Sequence, residues 1–221
     1  MKAVVSVGGS VITGALENDE LDLYEEVFQE LETETSKLVI VTGAGDLKRY
    51  IDSASDFQVS ESWKDLIGIK ATRLHAALVS SMLGGNVPIP ETLEEVAALS
   101  EIRDVVVLGG LTPGQSTDAV AAEAAEIIDA DRLVVATTVD GVYDEDPHAS
   151  AEAERYDELG YGELLDLVSE NESSAGSYPL LDFTAAKLVQ RSSIETVVLD
   201  GRKPGTLSKA LSEDPPGTLV R

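Results

Sequence analysis

Five short apolar runs rich in β-branched residues recur along the 221-residue chain: Ala3 to Val7, Leu38 to Thr42, Val105 to Leu108, Leu133 to Thr137 and Thr196 to Leu199. A strand covered on both faces reads as such an unbroken run, and strands separated by helices can pair in parallel. Amphipathic stretches fill the intervals, at Leu21 to Leu31, Leu47 to Ala54, Trp63 to Leu83, Leu93 to Ser100, Ala119 to Ile128, Tyr161 to Val168 and Leu180 to Arg191. The expected fold class is α/β, a three-layer αβα sandwich around a mostly parallel sheet. No internal repeat or low-complexity linker is visible, so residues 1–221 read as one two-lobed unit.

Three of the strand runs lead into glycine: Gly8-Gly9-Ser10, Gly43-Ala44-Gly45, and Gly109-Gly110 leading on to Gly114. Parallel strands put all three on one sheet edge, where open α/β folds bind ligands. The junction from Gly109 to Asp118 is the most informative, because it joins a strand to an alanine-rich helix. Glycine lets backbone approach a phosphate, and the first N–H groups of a helix add roughly half a positive charge. Ser116 or Thr117 can cap that helix or turn a hydroxyl to a ligand. Asp118 is out of place against a phosphate unless a metal ion or a lysine lies between them. The plainer alternative is a strand-to-helix turn whose aspartate favours a helix N-terminus. Neither G-x-x-x-x-G-K-[ST] nor G-x-G-x-x-G is present, which disfavours P-loop kinases and dinucleotide dehydrogenases.

Charge narrows the partners. There are 41 acids against 16 bases, a formal net charge of −25, spread through the chain rather than held in a tail. Such a field opposes nucleic acid and anionic membranes. At about 1 M salt the Debye length is roughly 3 Å, so the surface suits a salt-loving host. The absence of cysteine excludes disulfides, thiolate metal sites and cysteine nucleophiles. The N-terminal segment enters a strand pattern without a signal-peptide layout, and no apolar run reaches about 18 residues, so a cytoplasmic protein is expected.

Together, Val7-Gly8-Gly9-Ser10, the Gly43 to Arg49 segment, Thr112-Pro113-Gly114-Gln115-Ser116-Thr117-Asp118 and the Thr137 to Pro147 segment resemble the amino acid kinase family, in order from about Val4 to Leu199. Within it they most resemble the uridylate kinases of the archaeal type. The resemblance implies the amino acid kinase fold, transfer of the ATP γ-phosphoryl to UMP in pyrimidine nucleotide biosynthesis, Mg²⁺ carried with ATP, and a homo-oligomer, usually a hexamer. It also implies a UMP-binding lobe over residues 1–118 and an ATP-binding lobe over 119–221. ATP contacts would come from Gly9, Ser10, Gly45, Arg49, Thr137, Tyr143 and Asp146. UMP would meet Ala44, Asp65 and the loop residues Thr112, Pro113, Gly114, Gln115, Ser116 and Thr117. Lys187 would be the transition-state lysine, held by Asp118, with no resident metal site.

The residues also carry plainer readings. Arg49 follows the second glycine loop by one helical turn and can fork onto phosphate oxygens, or it is a solvated helix charge. A methyl at Ala44 is tolerable in a loop that is often all glycine in the family if its φ is negative. Lys187 lies on an otherwise apolar stretch, either snorkelling or aimed at a ligand. Tyr143 can cover a purine, or Asp140-Gly141 is a simple hairpin turn; Asp140, Asp144 and Asp146 lack the spacing of a calcium loop. Asp65 is, unaided, a charged helix residue; by resemblance its carboxylate accepts from the vicinal hydroxyls of a ribose. Lys64, Lys70 and Arg73 share its helix and, by resemblance, an oligomer interface. His75 reads as packed or solvated, and His148 has no partner for a zinc site.

One departure stands out. Many family members carry a lysine at the position of Ser6, and Lys2 lies roughly 13 Å back along the strand at about 3.3 Å per residue. Mg²⁺, Lys187 or the backbone donors of Gly8 to Ser10 would have to replace that charge. The rival readings are an enzyme of the same fold with a carboxylate, carbamate or isopentenyl phosphate acceptor, and a nucleotide-binding protein that has lost transfer.

Overall fold

The computed structural model describes residues 1–85, 88–150, 152–172 and 181–221, with side chains of 170–172 left aside. Among the described residues, one seven-stranded sheet runs in the order β3-β2-β1-β4-β6-β7-β5. The strands are β1 (Lys2–Val7), β2 (Lys37–Thr42), β3 (Val105–Leu108), β4 (Arg132–Thr137), β5 (Glu158–Leu159), β6 (Glu195–Asp200) and β7 (Thr218–Val220). The five runs predicted as strands form the parallel part, with Val7 opposite Thr42 and Ala136, Val41 opposite Leu108, and Thr137 opposite Asp200. β7 pairs antiparallel with β6, and β5 closes that edge. At two and three residues, β5 and β7 are too short to show any periodicity in the sequence.

Helices α1 (Gly9–Glu17), α2 (Leu21–Glu34), α4 (Glu61–Met82) and the single turn α9 (Pro204–Leu207) cover one face, with α3 (Lys48–Ser55) packed on α4. Helices α5 (Leu93–Ile102), α6 (Thr117–Ile127), α7 (Tyr161–Glu172) and α8 (Phe183–Ser192) cover the other. The three-layer expectation therefore holds. Strand alternation divides the core: Ala3, Val5 and Val7 face α1 and α2, whereas Val4 and Val41 face the α6 layer. Leu180, the first residue of the last predicted helix, lies outside the described residues. Helix α1 went unpredicted because Gly9 and Gly14 interrupt its apolar pattern.

Helix α6 shows why the chain is alanine-rich here. Ala119, Ala121, Ala122, Ala124 and Ala125 are wholly buried, because α6 lies between the sheet and its neighbours α5 and α8. Alanine combines the best helix propensity with the smallest side chain that still fills such a gap, so the helix can approach the strands closely. Ser116 accepts from the Ala119 N–H at 3.0 Å and fixes where α6 begins. The sheet is continuous across residues 1–118 and 119–221, since β1 pairs with both β2 and β4.

Candidate active site

The chain leaves β1 for β2 and β3 on one side and returns to β4 and β6 on the other, so the sheet's switch point lies between β1 and β4. Crevices outside the strand C-termini at such points receive ligands in open α/β sheets. Two glycine segments meet there. A Cβ on Gly9 would stand 1.9 Å from the Gly45 nitrogen, and one on Gly43 would stand 2.5 Å from the Gly9 nitrogen. Glycine is required because the two loops stack backbone against backbone. Gly45 has φ +53, whereas Ala44 has φ −82, so the condition set for its methyl is met. The Gly8 N–H is spent on Ala136 O at 2.8 Å, which removes it from the donors proposed to replace the missing cation. Gly9 and Ser10 open α1, where the first N–H groups have no partner within the helix.

The third glycine segment is held by α4. Gly110 N–H donates to Thr72 Oγ1 at 2.7 Å, Arg73 Nε donates to Gly110 O at 3.2 Å, and a Cβ on Gly109 would meet Thr72 Oγ1 at 2.6 Å. Beyond it, Gln115 N–H bonds Thr112 O at 3.3 Å around Pro113 and Gly114, the latter at φ +79. Proline followed by a positive-φ glycine is the type II turn pattern. The turn carries Thr112, Pro113 and Gly114 into solvent, with Gln115 and Thr117 half-buried at its base. Asp65 lies one helical turn before Ile69, whose side chain reaches Gly110, so both belong to the face of α4 that meets this loop. Its half-buried carboxylate has no hydrogen-bond or ion-pair partner among the described residues.

Asp118 is where the structure departs most from expectation. Ser6, 1% exposed at the sheet centre, donates from Oγ to Asp118 Oδ1 at 2.7 Å. The serine that replaces the family's lysine is thus the aspartate's partner. Desolvation, then the charge of Asp182, push the Asp118 carboxyl up to about 6, against the lowering effect of the Ser6 hydrogen bond. Lys187 does not hold this carboxylate: it is exposed on α8, with Nζ 5.8 Å from the centroid of Phe183, one turn earlier. Among the described residues Asp118 thus pairs with Ser6, and no ion pair joins it to Lys187. The physical reason is direction, since side chains on a helix lean toward its N-terminus and Lys187 leans over Phe183.

Four strand ends, a proline–glycine turn and a carboxylate hydrogen-bonded to the sheet thus lie along one edge. The description "amino acid kinase family" fits residues 1–200. The chain belongs to the amino acid kinase family. It is 40% identical to the uridylate kinase of Natronomonas pharaonis over 223 residues, covering 100% of this chain and 98% of that protein. It is 42% identical to the uridylate kinase of Haloarcula marismortui over 216 residues, covering 96% and 95%. The crystal structure of uridylate kinase from Archaeoglobus fulgidus superposes with a TM-score of 0.90 at 38% identity, covering 100% of both chains. Relatives of this amino acid kinase thus include halophilic archaea, in keeping with its acidic composition.

On the other side of the switch point the structure fills in detail the sequence did not show. Tyr143 Oη donates to Asp140 Oδ1 at 2.6 Å, which pushes the phenol's pKa up. Asp146 Oδ1 accepts from His148 N–H at 2.9 Å and Asp144 Oδ1 from Glu154 N–H at 2.8 Å, so each of the three aspartates holds a different part of this segment. Thr137 ends β4, and its carbonyl accepts from Gly201 N–H at 2.8 Å. Thr218 on β7 anchors the segment by accepting from Val142 N–H at 2.8 Å, a link between residues 76 positions apart. At the end of β6, buried Asp200 takes both ends of the Arg202 guanidinium at 2.9 and 3.0 Å, which holds the Asp200 carboxyl below its usual range.

The remaining cations sort by position. His75 Nδ1 donates to Gly43 O at 2.8 Å, so it is packed, as expected. Lys64 pairs with Glu61 at 2.7 Å and Arg73 with Glu91 at 2.8 Å. Arg49 is exposed beside the second glycine loop, its guanidinium carbon 5.8 Å from the centroid of the Tyr50 ring. Arg49 and Lys187 therefore stand at the strand-end edge without carboxylate partners among the described residues, in a chain with more than two acids for every base.

Proposed function

We propose that this chain is a uridylate kinase, transferring the γ-phosphoryl group of ATP to UMP to give UDP and ADP, in the cytoplasm and within pyrimidine nucleotide biosynthesis. The observation that carries it is the close stacking of the Gly8–Gly9 and Gly43–Gly45 loops at the strand C-termini beside the β1/β4 switch point, in a chain whose full-length relatives are named for that activity. None of the described helices is long and apolar enough to cross a membrane.

In this reading residues 1–118 carry the UMP side and 119–221 the ATP side, with the phosphate arms crossing between them. The free N–H groups of Gly9 and Ser10, the backbone of Gly45 and the Arg49 guanidinium hold the ATP phosphates. Thr137, Tyr143 and Asp146 border the nucleoside. Thr112 to Thr117 wrap the UMP phosphate with the backbone at the start of α6, while Ala44 and Asp65 meet the UMP ribose. Asp65 is suited to this because its carboxylate is half-buried yet unclaimed. Phosphoryl transfer needs positioning and charge neutralisation more than covalent help from the protein. Lys187, exposed and without a carboxylate partner among the described residues, is free to follow the transferring group. Asp118, anchored to Ser6, needs no proton from UMP, whose phosphate loses its second proton near pH 6.

The residues fit a Mg²⁺ that arrives on ATP. Asp118 and Asp182 lie close enough for their charges to interact, and no cluster of three or more metal-ligating side chains exists among the described residues. Mg²⁺ commonly binds through one or two carboxylates and substrate phosphates, and it would supply charge neutralisation there. Assembly is part of the same reading. Trp63, Leu66 and Leu74 form an exposed apolar stripe on the outer face of α4, suited to contact with a second copy on the way to a hexamer.

A panel of nucleoside monophosphates with MgATP in high KCl tests the assignment. UMP is expected to turn over fastest; rapid phosphorylation of CMP or AMP without UMP would sink it.

A further inference from the structure

The N-termini of α6 and α8 share one polar link. Asp182 precedes α8, and its Oδ1 accepts from the N–H groups of Thr184 at 2.9 Å and Ala185 at 3.1 Å, which caps that helix. Its other oxygen, Oδ2, accepts from Ser116 Oγ, and Ser116 in turn caps α6 by accepting from Ala119 N–H. A cap needs one oxygen and one helix. Here a single carboxylate serves one helix and grips the cap of another, 66 residues away in sequence.

What the link joins is specific. Ser116 follows the Thr112 to Gln115 turn, and α6 then presents Asp118 to Ser6. Helix α8 carries Lys187 one turn further on. The Asp182 charge also bears on Asp118, where it opposes ionisation. Helices α6 and α8 already pack against each other within one apolar core, so the link adds little to whether they associate. It sets their axial and rotational register at the end where the two substrates would meet.

We propose that Asp182 is a positioning residue of the phosphoryl-transfer site, locking the acceptor loop to the helix that carries Lys187 through Ser116. The proposal rests on the kinase reading above. An error in the placement of either side by about 1 Å is enough to cost on the order of a hundredfold in rate. A purely structural pair of caps would make a different prediction, since each cap would act on its own helix.

A double-mutant cycle on the full chain in high KCl separates the two. Asp182→Ala, Ser116→Ala and the double variant are compared for kcat and KM with UMP and MgATP, and for Tm. If the link positions both sides, Asp182→Ala lowers kcat and raises the KM for UMP, together at least tenfold in kcat/KM, in the parent chain. It then costs little more in the Ser116→Ala background, where the link is already cut. Ser116→Thr, which keeps the hydroxyl, retains most of the activity. The Tm losses should fall short of additive, because the Ser116–Asp182 hydrogen bond is already removed by either single variant. An equal loss of kcat/KM from Asp182→Ala in both backgrounds overturns the proposal and leaves the kinase reading intact. A parent chain that turns over ATP with no UMP phosphorylation overturns both.

Discussion

Replacing Ser6 by alanine tests the least expected contact in the site. Ser6 is 1% exposed and gives its only hydroxyl hydrogen to Asp118 Oδ1 at 2.7 Å. A hydrogen bond to an ionised carboxylate is worth about 1.5–3 kcal/mol, and one to a neutral group about 0.5–1.5 kcal/mol. Losing it therefore costs the charged form about 1–1.5 kcal/mol more than the protonated form, which at 1.36 kcal/mol per unit is about one unit upward. The Asp118 carboxyl already stands at about 6, so the variant should titrate near 7. If transfer needs Asp118 ionised, the acid limb of kcat/KM for UMP moves up by about one unit. At pH 6 the variant should be about fivefold slower than the parent, with the two converging above about pH 8. The UMP phosphate titrates in the same window, but it does so equally in both enzymes, so the difference between the curves isolates Asp118. Stability carries the matching sign. Asp118 has its pKa raised from 3.8 to about 6 on folding, so the folded state holds more protons in between, and this group's contribution declines as pH rises through that window. In Ser6→Ala the decline should continue to about pH 7. Superimposable pH profiles, or a loss of activity that is uniform in pH, would refute the role assigned to this hydrogen bond.

Three further outcomes follow from the same geometry. Lys187→Met should lower kcat by about 10²–10³-fold while changing stability by under about 0.5 kcal/mol, since the side chain is exposed and unpaired; thermal melts beside steady-state rates check it. Asp65→Ala should raise the KM for UMP by roughly 10–100-fold with a near-constant Tm, because the carboxylate has no protein partner to lose; a KM that stays put would place the ribose elsewhere. Gly45→Ala forces a side chain onto φ +53 with its Cβ 2.3 Å from Gly9 O, so the two glycine loops must part, which should cost about 2 kcal/mol or more and weaken ATP binding, read by urea melts and by the KM for ATP.

The parallel sheet was legible because each of its strands is buried on both faces and so announces itself as an apolar run. The glycine loops were legible for the same local reason, and so was Ser116, one of the two capping residues named in advance. The strands β5 and β7 were not, being too short for a period, and neither was α1, whose Gly9 serves the contact with Gly43 and Gly45 rather than the helix. Thr218 could not have been found by pattern, because its value lies in a partner 76 residues away. Asp182 offered one signal, an aspartate just before an apolar helical stretch, which marks a cap but not the second helix it grips.

By itself, the order of apolar runs and glycines determined that this chain forms a mostly parallel sheet with its functional loops on one edge. Burial of strand backbones and the close approach allowed by glycine are properties of short segments, so they survive without knowledge of the rest. Only the tertiary structure decided how the charges at that edge are paired. Distance and direction across the sheet, not spacing along the chain, gave Asp118 to Ser6, bound Asp182 to Ser116 and left Lys187 and Arg49 without carboxylate partners among the described residues. Electrostatic partners are chosen over a few ångströms of space, and the chain brings β1 to α6 across 112 residues and α6 to α8 across 66.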